Sequence, residues 1–485
     1  MTTAITIGMI IIYVAIMMGI GVYTARQTRS VSDFVLGSHS VGSWLTAFAY
    51  GTSYFSAVVF IGYAGQFGWT YGVSASWVGV GNALLGSLLA WIVLGRRTRI
   101  MTQSLGAKTM PEYFEKRWNS KGLKIAAALI VFVFLIPYTA SVYNGLSRLF
   151  NMAFQIESEG AYKIIIIVMA LLTAIYVILG GYAATAINDF IQGIVMLIGI
   201  AAVVICAIQN QGGLTSALAA LGEIEVNGKT NTLNSVFGPD PLNLLGVVIL
   251  TSLGTWGLPQ MIHKFYAIKS ENDIKKGAVI STVFALIVAG GSYLLGGFDR
   301  LFCTLTEDGS GKTVISTLSN GKPDFDAMIP SLLHTALPDI LIGLVVVLVL
   351  SASMSTLSSL VLTSSSTLTI DLIKPNLKKC SDKKEMLIMR VLIAVFLIIS
   401  VLLAFNKNAS ISTLMSYSWG ALAGAFLGPF MYGLFSKKIT KPAVWTSFIL
   451  GIGLTLVHMF LFGFGWDPEL SKAAASLPLN LASPI

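Results

Sequence analysis

Apolar stretches of about twenty residues follow one another along almost the whole chain. Each stretch is long enough, as a helix, to cross a hydrocarbon layer about 30 Å thick. Hydrophobic residues make up 55% of the 485 residues and charged residues only 11%, whereas soluble proteins carry about a quarter charged residues. The sequence therefore predicts an all-α polytopic protein that crosses the lipid bilayer of the cell membrane many times.

The apolar pattern predicts about twelve membrane-spanning helices. They lie near residues 5–25, 42–67, 74–94, 125–152, 161–182, 187–208, 241–263, 277–298, 337–369, 389–405, 411–435 and 442–464. The first of them lacks a basic segment before it and a small-residue cleavage site after it. We therefore interpret it as a retained helix and not as a signal peptide.

Lysine and arginine residues are concentrated in every second loop of this arrangement. Basic residues accumulate in the cytoplasmic loops of membrane proteins, so the pattern predicts an N-terminus outside the cell. This topology places Lys264 and Lys269, next to the seventh span, in an inner loop. The net charge of +9 is then a signal of topology, and it does not indicate a nucleic-acid partner.

Enzyme motifs do not stand out in this sequence. No HExxH, GxSxG, Walker or GxGxxG motif lies in a plausible context, and the three cysteines and four histidines are scattered. Twelve spans without a catalytic constellation favour a transporter over a membrane enzyme. A channel subunit or a solute sensor also fits the number of spans.

The second and seventh spans are interrupted. The first interruption is "GTSYFS" (51–56) and the second is "TSLGTWGLP" (251–259). Glycine and proline weaken helical geometry, and backbone groups freed inside lipid are tolerated only around a cavity or a ligand. Kinked helices that pack through small residues would give the same pattern, so both interpretations stay open.

The two interrupted spans are five spans apart. Because five is odd, two halves that begin with these spans run in opposite directions, as in transporters with inverted repeats. The predicted divisions are an extra N-terminal helix with the first inner loop (1–41), a first five-helix repeat (42–208), an outer loop (209–240), a second, inverted five-helix repeat (241–435) and a C-terminal helix and tail (436–485).

The ninth span carries many hydroxyl groups. Residues three and four apart share one face of a helix, which groups Ala352, Ser355, Thr356 and Ser359. Hydroxyl and carbonyl oxygens together make a hard-oxygen site that suits an alkali cation. Unwound carbonyls near Thr52 and Phe55 would supply the ligands that one helix cannot.

The alternative for these hydroxyls is that they bond back to their own helix and let helices approach closely. We favour that interpretation for Ser351, Ser353, Ser358 and the run 364–366. For Ser355 and Thr356 the pattern alone leaves both interpretations open.

Asp189 follows "GGYAATAIN" at the start of the sixth span. Aspartate favours helix N-termini, where it accepts amide hydrogens, so a capping role is one interpretation. An acid deeper in the membrane costs about 2.5–3.5 kcal/mol and commonly marks an ion path. Both roles stay open for this residue.

Aromatic residues near the interruptions are candidates for a solute pocket. They are Tyr54, Phe55, Tyr138 and Trp256. Packing against lipid is the commoner fate of such residues in membrane helices. Tyr417 and Trp419, ahead of "GALAGAFLGP", are candidates for an outer gate.

Several segments together resemble the sodium/solute symporter family. They are "DFVLGSHSVGSWLTAFAYGTSYFSAVVFIGYAG" (33–65), "TMPEYFEKRW" (109–118), "GGYAATAINDFIQGIVMLIG" (180–199), "GLPQMIHKF" (257–265) and "ASMSTLSSLVLTSSSTLTIDL" (352–372). The resemblance implies a core of two inverted five-helix repeats. It also implies sodium as the co-transported ion and a small organic solute as the cargo.

The same resemblance implies particular site residues. The sodium ligands would be the carbonyls of Thr52, Phe55 and Ala352 and the hydroxyls of Ser355 and Thr356, and Asp189 would assist sodium on its inward path. Tyr138 and Ser359 match solute-pocket positions of the family's proline branch. With Tyr54, Ser56 and Trp256 near the interruptions, Tyr138 and Ser359 make up the predicted substrate-binding residues.

Two departures from the family pattern bear on this interpretation. Tyr54 stands where the proline branch has an acidic residue, which brings "GTSYFSA" closer to the pantothenate branch. A thirteenth helix, typical of these branches, does not follow "LASPI", which leads us to expect a truncated chain with its C-terminus outside.

These observations lead to one predicted function and two alternatives. The chain is predicted to be a secondary active symporter that couples sodium to the import of an amino acid, a pantothenate-like acid or a short carboxylate by alternating access. A proton-coupled transporter is the nearest alternative. A solute sensor or channel-like protein is the second.

Overall fold

The structure is a computed structural model that describes most of the chain. The described residues are 2–26, 30–37, 40–155, 158–307, 309, 311–318, 323–377, 381–405, 410–463 and 468–477. Helices form nearly all of this part of the chain, as the apolar pattern predicts.

The helices of the first half are α1 (Thr2–Ala25), α2 (Val31–Leu36), α3 (Ser43–Tyr54), α4 (Ala64–Tyr71), α5 (Ser76–Gly81), α6 (Arg96–Leu105), α7 (Met110–Trp118), α8 (Lys121–Phe154), α9 (Glu159–Asn210) and α10 (Leu214–Glu223). Wider π-type turns over Val58–Tyr63, Asn82–Leu89 and Trp91–Gly95 and a 3₁₀ turn over Gly72–Ala75 continue the chain between α3 and α6.

The helices of the second half are α11 (Pro241–Leu253), α12 (Pro259–Ala267), α13 (Glu271–Gly296), α14 (Asp299–Phe302), α15 (Met328–Ala336), α16 (Asp339–Thr367), α17 (Asp382–Ala404), α18 (Ile411–Phe435), α19 (Lys441–His458) and α20 (Pro468–Ala475). Shorter 3₁₀ turns cover Gly254–Gly257, Phe325–Ala327 and Lys374–Asn376, and π-type turns cover Leu368–Ile373 and Met459–Gly463.

One small sheet departs from the all-helical pattern. Strands β1 (Cys303–Thr304) and β2 (Thr313–Val314) pair in parallel, with Cys303 opposite Thr313. The sheet lies in the loop between α14 and α15, one of the polar segments between predicted spans, so the helical membrane region is unaffected.

Eight helical segments of the described chain are long and apolar enough to cross a membrane, or nine if the bent pair at 241–267 counts as one span. Two of the eight, Val58–Leu105 and Glu159–Asn210, contain 48 and 52 residues. A span needs about 20 residues, so each of these is long enough to cross twice. Left-handed backbone at Gly72 (φ 61°) and Gly181 (φ 55°) bends the chain within them. The count of twelve spans stays a prediction.

Both predicted interruptions are confirmed. Helix α3 ends at Tyr54, and Phe55 leaves helical geometry with φ −101° and ψ 86°. The second interruption lies between α11 and α12, where Leu258 is extended (φ −83°, ψ 120°) and the two helices are bent by 52°. The inverted relation between the two halves that begin here, and the predicted repeat boundaries, stay predictions.

The segments that precede α3 and follow α12 are joined. Val41 pairs with Ile268 in a parallel bridge, and the Lys269 amide donates to the Val41 carbonyl at 2.9 Å. The Ser43 amide also donates to Asp273 Oδ1 at 3.3 Å. These contacts hold the start of the first interrupted helix against the end of the second.

Helix α4 packs on the end of α13 through glycines. A Cβ atom on Gly68 would lie 2.0 Å from the carbonyl carbon of Gly296, and one on Gly296 would lie 2.0 Å from the carbonyl oxygen of Ala64. The backbones are therefore in direct contact, as small residues permit in membrane helix pairs.

We predict that Gly68→Ala lowers stability by about 1–3 kcal/mol, because the backbone of α13 must move away. Gly246→Ala is the matched control: it also lies in a helix, and a Cβ there meets nothing within 4 Å. The measurement is the thermal unfolding midpoint of the purified protein in detergent. Equal midpoints for the two variants would show that the α4–α13 contact is loose.

Candidate functional site

Hydroxyl groups of α16 lie against the end of α3 and the middle of α9. Ser355 Oγ is 2.8 Å from Thr52 Oγ1 and 2.6 Å from Asp189 Oδ1. The Thr52 hydroxyl is also 2.8 Å from the Phe48 carbonyl. Two hydroxyl hydrogens serve these three contacts, so one contact between oxygens has no hydrogen when Asp189 is ionised. Such a group of oxygens suits a bound cation.

Thr356 lies beside the same group. Its Oγ1 donates to the Ala352 carbonyl at 3.1 Å and lies 3.4 Å from the Thr52 carbonyl. Ser355, Thr356, Thr52 and Asp189 are all fully buried. The structure thus brings together four of the five predicted sodium ligands, Thr52, Ala352, Ser355 and Thr356, although more than 290 residues of sequence separate Thr52 from the others.

The fifth predicted ligand, Phe55, is at the interruption itself. In a continuous helix the amides of Val58 and Val59 would bond to the carbonyls of Tyr54 and Phe55. Here Val58 N–H donates to Ser56 Oγ at 3.2 Å, and Val59 N–H donates to the Ser56 carbonyl at 3.0 Å. The Phe55 carbonyl, three residues after Thr52, is therefore released from these helical bonds.

Asp189 does not cap a helix. It lies about two turns past the Gly181 bend, inside α9, with its side chain fully buried. The capping interpretation of the sequence is therefore wrong. An acid at this depth needs compensation for the loss of water.

Lys264 supplies that compensation. Its Nζ lies 3.5 Å from Asp189 Oδ2 and donates to Ser359 Oγ at 3.0 Å. The ammonium also lies 5.4 Å from the centre of the Tyr182 ring, within the range of a cation–π contact. The side chain is 2% exposed, so the assignment of Lys264 to an exposed inner loop is wrong. Sequence analysis missed this residue, although it directly follows a proline-interrupted apolar span.

Ser359 belongs with Lys264. Besides accepting from the ammonium, its hydroxyl is 2.8 Å from Ser53 Oγ on α3. The pairs Ser53–Ser359 and Thr52–Ser355 thus hold α3 and α16 together one turn apart. Ser359, a predicted substrate-binding residue, is thus hydrogen-bonded to Lys264 and Ser53.

Two of the predicted aromatic residues contact Trp419, and a third stacks on one of them. Its ring centre is 6.3 Å from that of Tyr54 and 6.0 Å from that of Tyr138, and Tyr54 stacks on Phe55 at 4.4 Å. The Tyr54 hydroxyl donates to the Thr251 carbonyl on α11 at 2.5 Å. Tyr54 therefore connects the first interruption to the helix that precedes the second.

The remaining aromatic candidates are placed differently. Trp256 donates its indole N–H to the Leu85 carbonyl at 3.1 Å, so it packs on the Asn82–Leu89 turns. Trp419 is buried, whereas the Tyr417 ring faces His458 of α19 at 6.4 Å. Of the two proposed gate residues, Trp419 contacts Tyr54 and Tyr138, and Tyr417 does not.

A small void borders the interruption. Its volume is about 10 Å³, and Phe55, Ser56 and Ala352 contribute to its wall. Met196, Val288 and Ser292 also line it, and no pattern in the sequence singles out these three. A volume of this size holds about one water molecule, so the helices are closed around this place.

Comparison with known proteins gives consistent results. The model of the sodium:solute symporter family matches residues 34–451. Sodium/proline symporters of Staphylococcus aureus, for example those of strains JH9 and Mu3, are 30% identical over 459 residues, which cover 93% of this chain and 85% of theirs.

Two solved structures share the fold. A Na⁺-coupled sialic acid symporter in a substrate-bound outward-open state aligns with a TM-score of 0.73 and 18% identity, over 99% of this chain and 93% of that one. A nucleobase-cation-symport-1 family transporter in a closed conformation aligns with a TM-score of 0.52 and 13% identity, over 93% and 91%. With a family match over most of its length, this chain belongs to the sodium:solute symporter family, and sodium is its co-transported ion.

Proposed function

We propose that this protein imports a small organic solute with sodium, and that the sodium site lies between the interruption of α3 and the hydroxyl groups of α16. The observation that carries the proposal is the contact of Thr52 with Ser355 and Thr356, at 2.8 and 3.4 Å, beside the released backbone at Phe55. The proposed ligands are the carbonyls of Thr52, Phe55 and Ala352 and the hydroxyls of Ser355 and Thr356.

The energetics of such a symporter are adequate. One sodium ion that moves inward across about 100 mV releases roughly 2.3 kcal/mol. That energy supports a solute accumulation of nearly 50-fold before any sodium gradient is added, since about 1.4 kcal/mol corresponds to a factor of ten.

In the proposed ion path, the pair of Asp189 and Lys264 promotes the release of sodium. Asp189 contacts the sodium ligand Ser355 through one carboxylate oxygen and Lys264 through the other. Sodium and the lysine ammonium are thus alternative cations for the same acid. When sodium leaves toward Asp189, the charge of Lys264 repels it onward and keeps the acid paired.

The proposed solute site lies at the interruption, beside Tyr54, Tyr138 and Trp419. The void next to Phe55, Ser56 and Ala352 holds about one water molecule, so it must widen when a solute enters. Its walls are mainly apolar, which suits a solute with a small apolar body. A carboxylate on that solute would pair with sodium. Proline is the first solute to test, because relatives at 30% identity are named sodium/proline symporters. Other solutes should be tested as well, because Tyr54 stands where the proline branch has an acidic residue.

We predict that Thr356→Ala raises the sodium concentration for half-maximal uptake about tenfold, because one oxygen ligand worth about 1–1.5 kcal/mol is lost. Uptake at saturating sodium should keep its dependence on solute concentration. Thr356→Ser should restore sodium activation, since it retains the hydroxyl. The measurement is initial uptake of labelled solute into proteoliposomes over a range of sodium concentrations.

The matched control is Ser353→Ala, on the same helix. Ser353 is equally buried, and its hydroxyl donates to the Val349 carbonyl of its own helix at 2.6 Å. Sodium activation of this variant should equal that of the wild type. A normal sodium curve for Thr356→Ala would exclude Thr356 as a ligand.

We predict that Lys264→Gln lowers stability in sodium-free buffer by roughly 3 kcal/mol, because Asp189 loses its buried partner. Added sodium should then raise the unfolding midpoint more in this variant than in the wild type, since sodium becomes the only cation for Asp189. Lys269→Gln, at an exposed position five residues on, is the control. The measurement is thermal unfolding in choline and in sodium buffers.

The double variant Asp189→Asn/Lys264→Gln separates the pair from simple packing. It carries no buried charge, so it should be more stable than Lys264→Gln alone in sodium-free buffer. An identical response of wild type and Lys264→Gln to sodium would mean that Asp189 and sodium do not meet.

We predict that proteoliposomes with an inward sodium gradient accumulate labelled proline above its external concentration, and that choline in place of sodium abolishes accumulation. Unlabelled pantothenate and short carboxylates, added as competitors, report the breadth of the site. Downhill movement of solute alone, without accumulation, would identify a channel instead. Accumulation that follows pH and ignores sodium would contradict sodium coupling.

A further inference from the structure

A cavity of about 830 Å³ opens beside α6 and the end of α18. It is far larger than the void at the helix interruption and shares no lining residue with it. Its twelve lining residues include four basic ones, Arg96, Arg97, Arg117 and Lys437. None of the twelve is acidic. The cavity is therefore a concentrated region of positive charge that the transport mechanism does not use.

The basic side chains are not equivalent. Arg117 donates to the carbonyls of Gly433 and Ser436 at 3.1 and 2.8 Å, so it is fixed at the end of α18. Arg96 pairs with Glu271 at 2.7 Å. Arg97 and Lys437 are exposed and have no hydrogen-bond or ion-pair partner within the part of the chain that the structure describes. These two cations are available to a ligand.

Arg97 is nevertheless held in place. Its guanidinium carbon lies 4.2 Å from the centre of the Phe435 ring, a cation–π contact that orients the side chain without using its N–H donors. A guanidinium with free donors in a fixed plane is suited to bidentate binding of a phosphate group. This arrangement differs from a flexible, fully solvated surface arginine.

The other wall of the cavity is apolar and continues onto the exposed surface of the membrane helices. Ile92 is 64% exposed and lies one turn before Arg96, and Phe435 is 46% exposed. Ile100 also lines the cavity and is exposed. Apolar side chains therefore extend from the cationic end of the site along a face that meets lipid.

We propose that this cavity binds an anionic phospholipid. The phosphate group would lie between Arg97 and Lys437, and the acyl chains would extend along Ile92, Ile100 and Phe435. Basic pockets between membrane helices on the cytoplasmic side recognise anionic headgroups in this way, with each basic residue adding to the affinity. A free phosphate would gain nothing from the apolar wall, so a lipid is the ligand that uses both halves of the site.

The experiment is native mass spectrometry of the purified full-length chain in detergent, titrated with phosphatidylglycerol or with phosphatidylcholine. We expect the wild type to bind phosphatidylglycerol more tightly than phosphatidylcholine. Arg97→Gln/Lys437→Gln should weaken phosphatidylglycerol binding about 30-fold, since two cations near the headgroup are removed. Both substitutions are at exposed positions, and an unchanged unfolding midpoint verifies that the variant is folded.

The matched control is Lys275→Gln/Lys276→Gln, which removes two exposed lysines near the start of α13 that do not line the cavity. It should bind phosphatidylglycerol like the wild type. Equal loss in both double variants would overturn the proposal in favour of diffuse surface charge. Displacement of the lipid by an equal concentration of inorganic phosphate would overturn it in favour of a free-phosphate site.

Discussion

Backbone groups inside a lipid bilayer have no water to bond with, so a helix that stops halfway must give its free groups other partners. Helix α3 stops at Tyr54, and neighbouring residues supply hydrogen-bond partners there. Ser56 takes the amides that follow, and the α16 hydroxyls approach from across the bundle. The end of α3 is thus in contact with the hydroxyl groups of Ser355 and Thr356, and the interruption releases carbonyl oxygens that a cation can bind.

A second requirement follows from the acid beside these oxygens. Asp189 is fully buried, and an isolated carboxylate at that depth is strongly disfavoured. Lys264 on α12 provides the opposite charge, while Ser359 bonds to the lysine and to Ser53 on α3. Residues from α3, α9, α12 and α16 therefore form one hydrogen-bonded group. Movement of α12 would separate Lys264 from Asp189, and the proposed release of sodium depends on such a change of partner.

The sequence predicts much of this arrangement because membrane helices obey strong local rules. Apolar length predicted a membrane protein of many helices, and glycine and proline located both interruptions. The prediction of back-bonded hydroxyls is confirmed in part. Ser353, Ser358, Ser365 and Ser366 donate to carbonyls of their own helix. Ser351 and Ser364 have no hydrogen-bond partner among the described residues, so for these two the prediction is wrong.

Lys264 and the void beyond Phe55 could not be predicted by the same rules. A lysine next to an apolar span indicates an inner loop by the charge rule, and only the bend of 52° before α12 carries it into the core. Met196 and Val288 look like any apolar helix residue, and their position at the void depends on how α9 and α13 pack. Asp189 was ambiguous because the sequence does not reveal that the kink in α9 lies at Gly181, about two turns before the acid.

Equilibrium binding of ²²Na⁺ to the purified protein, without solute, tests the location of the sodium site most directly. Ser355 bonds across to Thr52 and Asp189, whereas Ser358 bonds to its own helix. The account predicts that Ser355→Ala weakens sodium binding about tenfold or more and that Ser358→Ala binds sodium like the wild type. Wild-type sodium affinity in Ser355→Ala would contradict it.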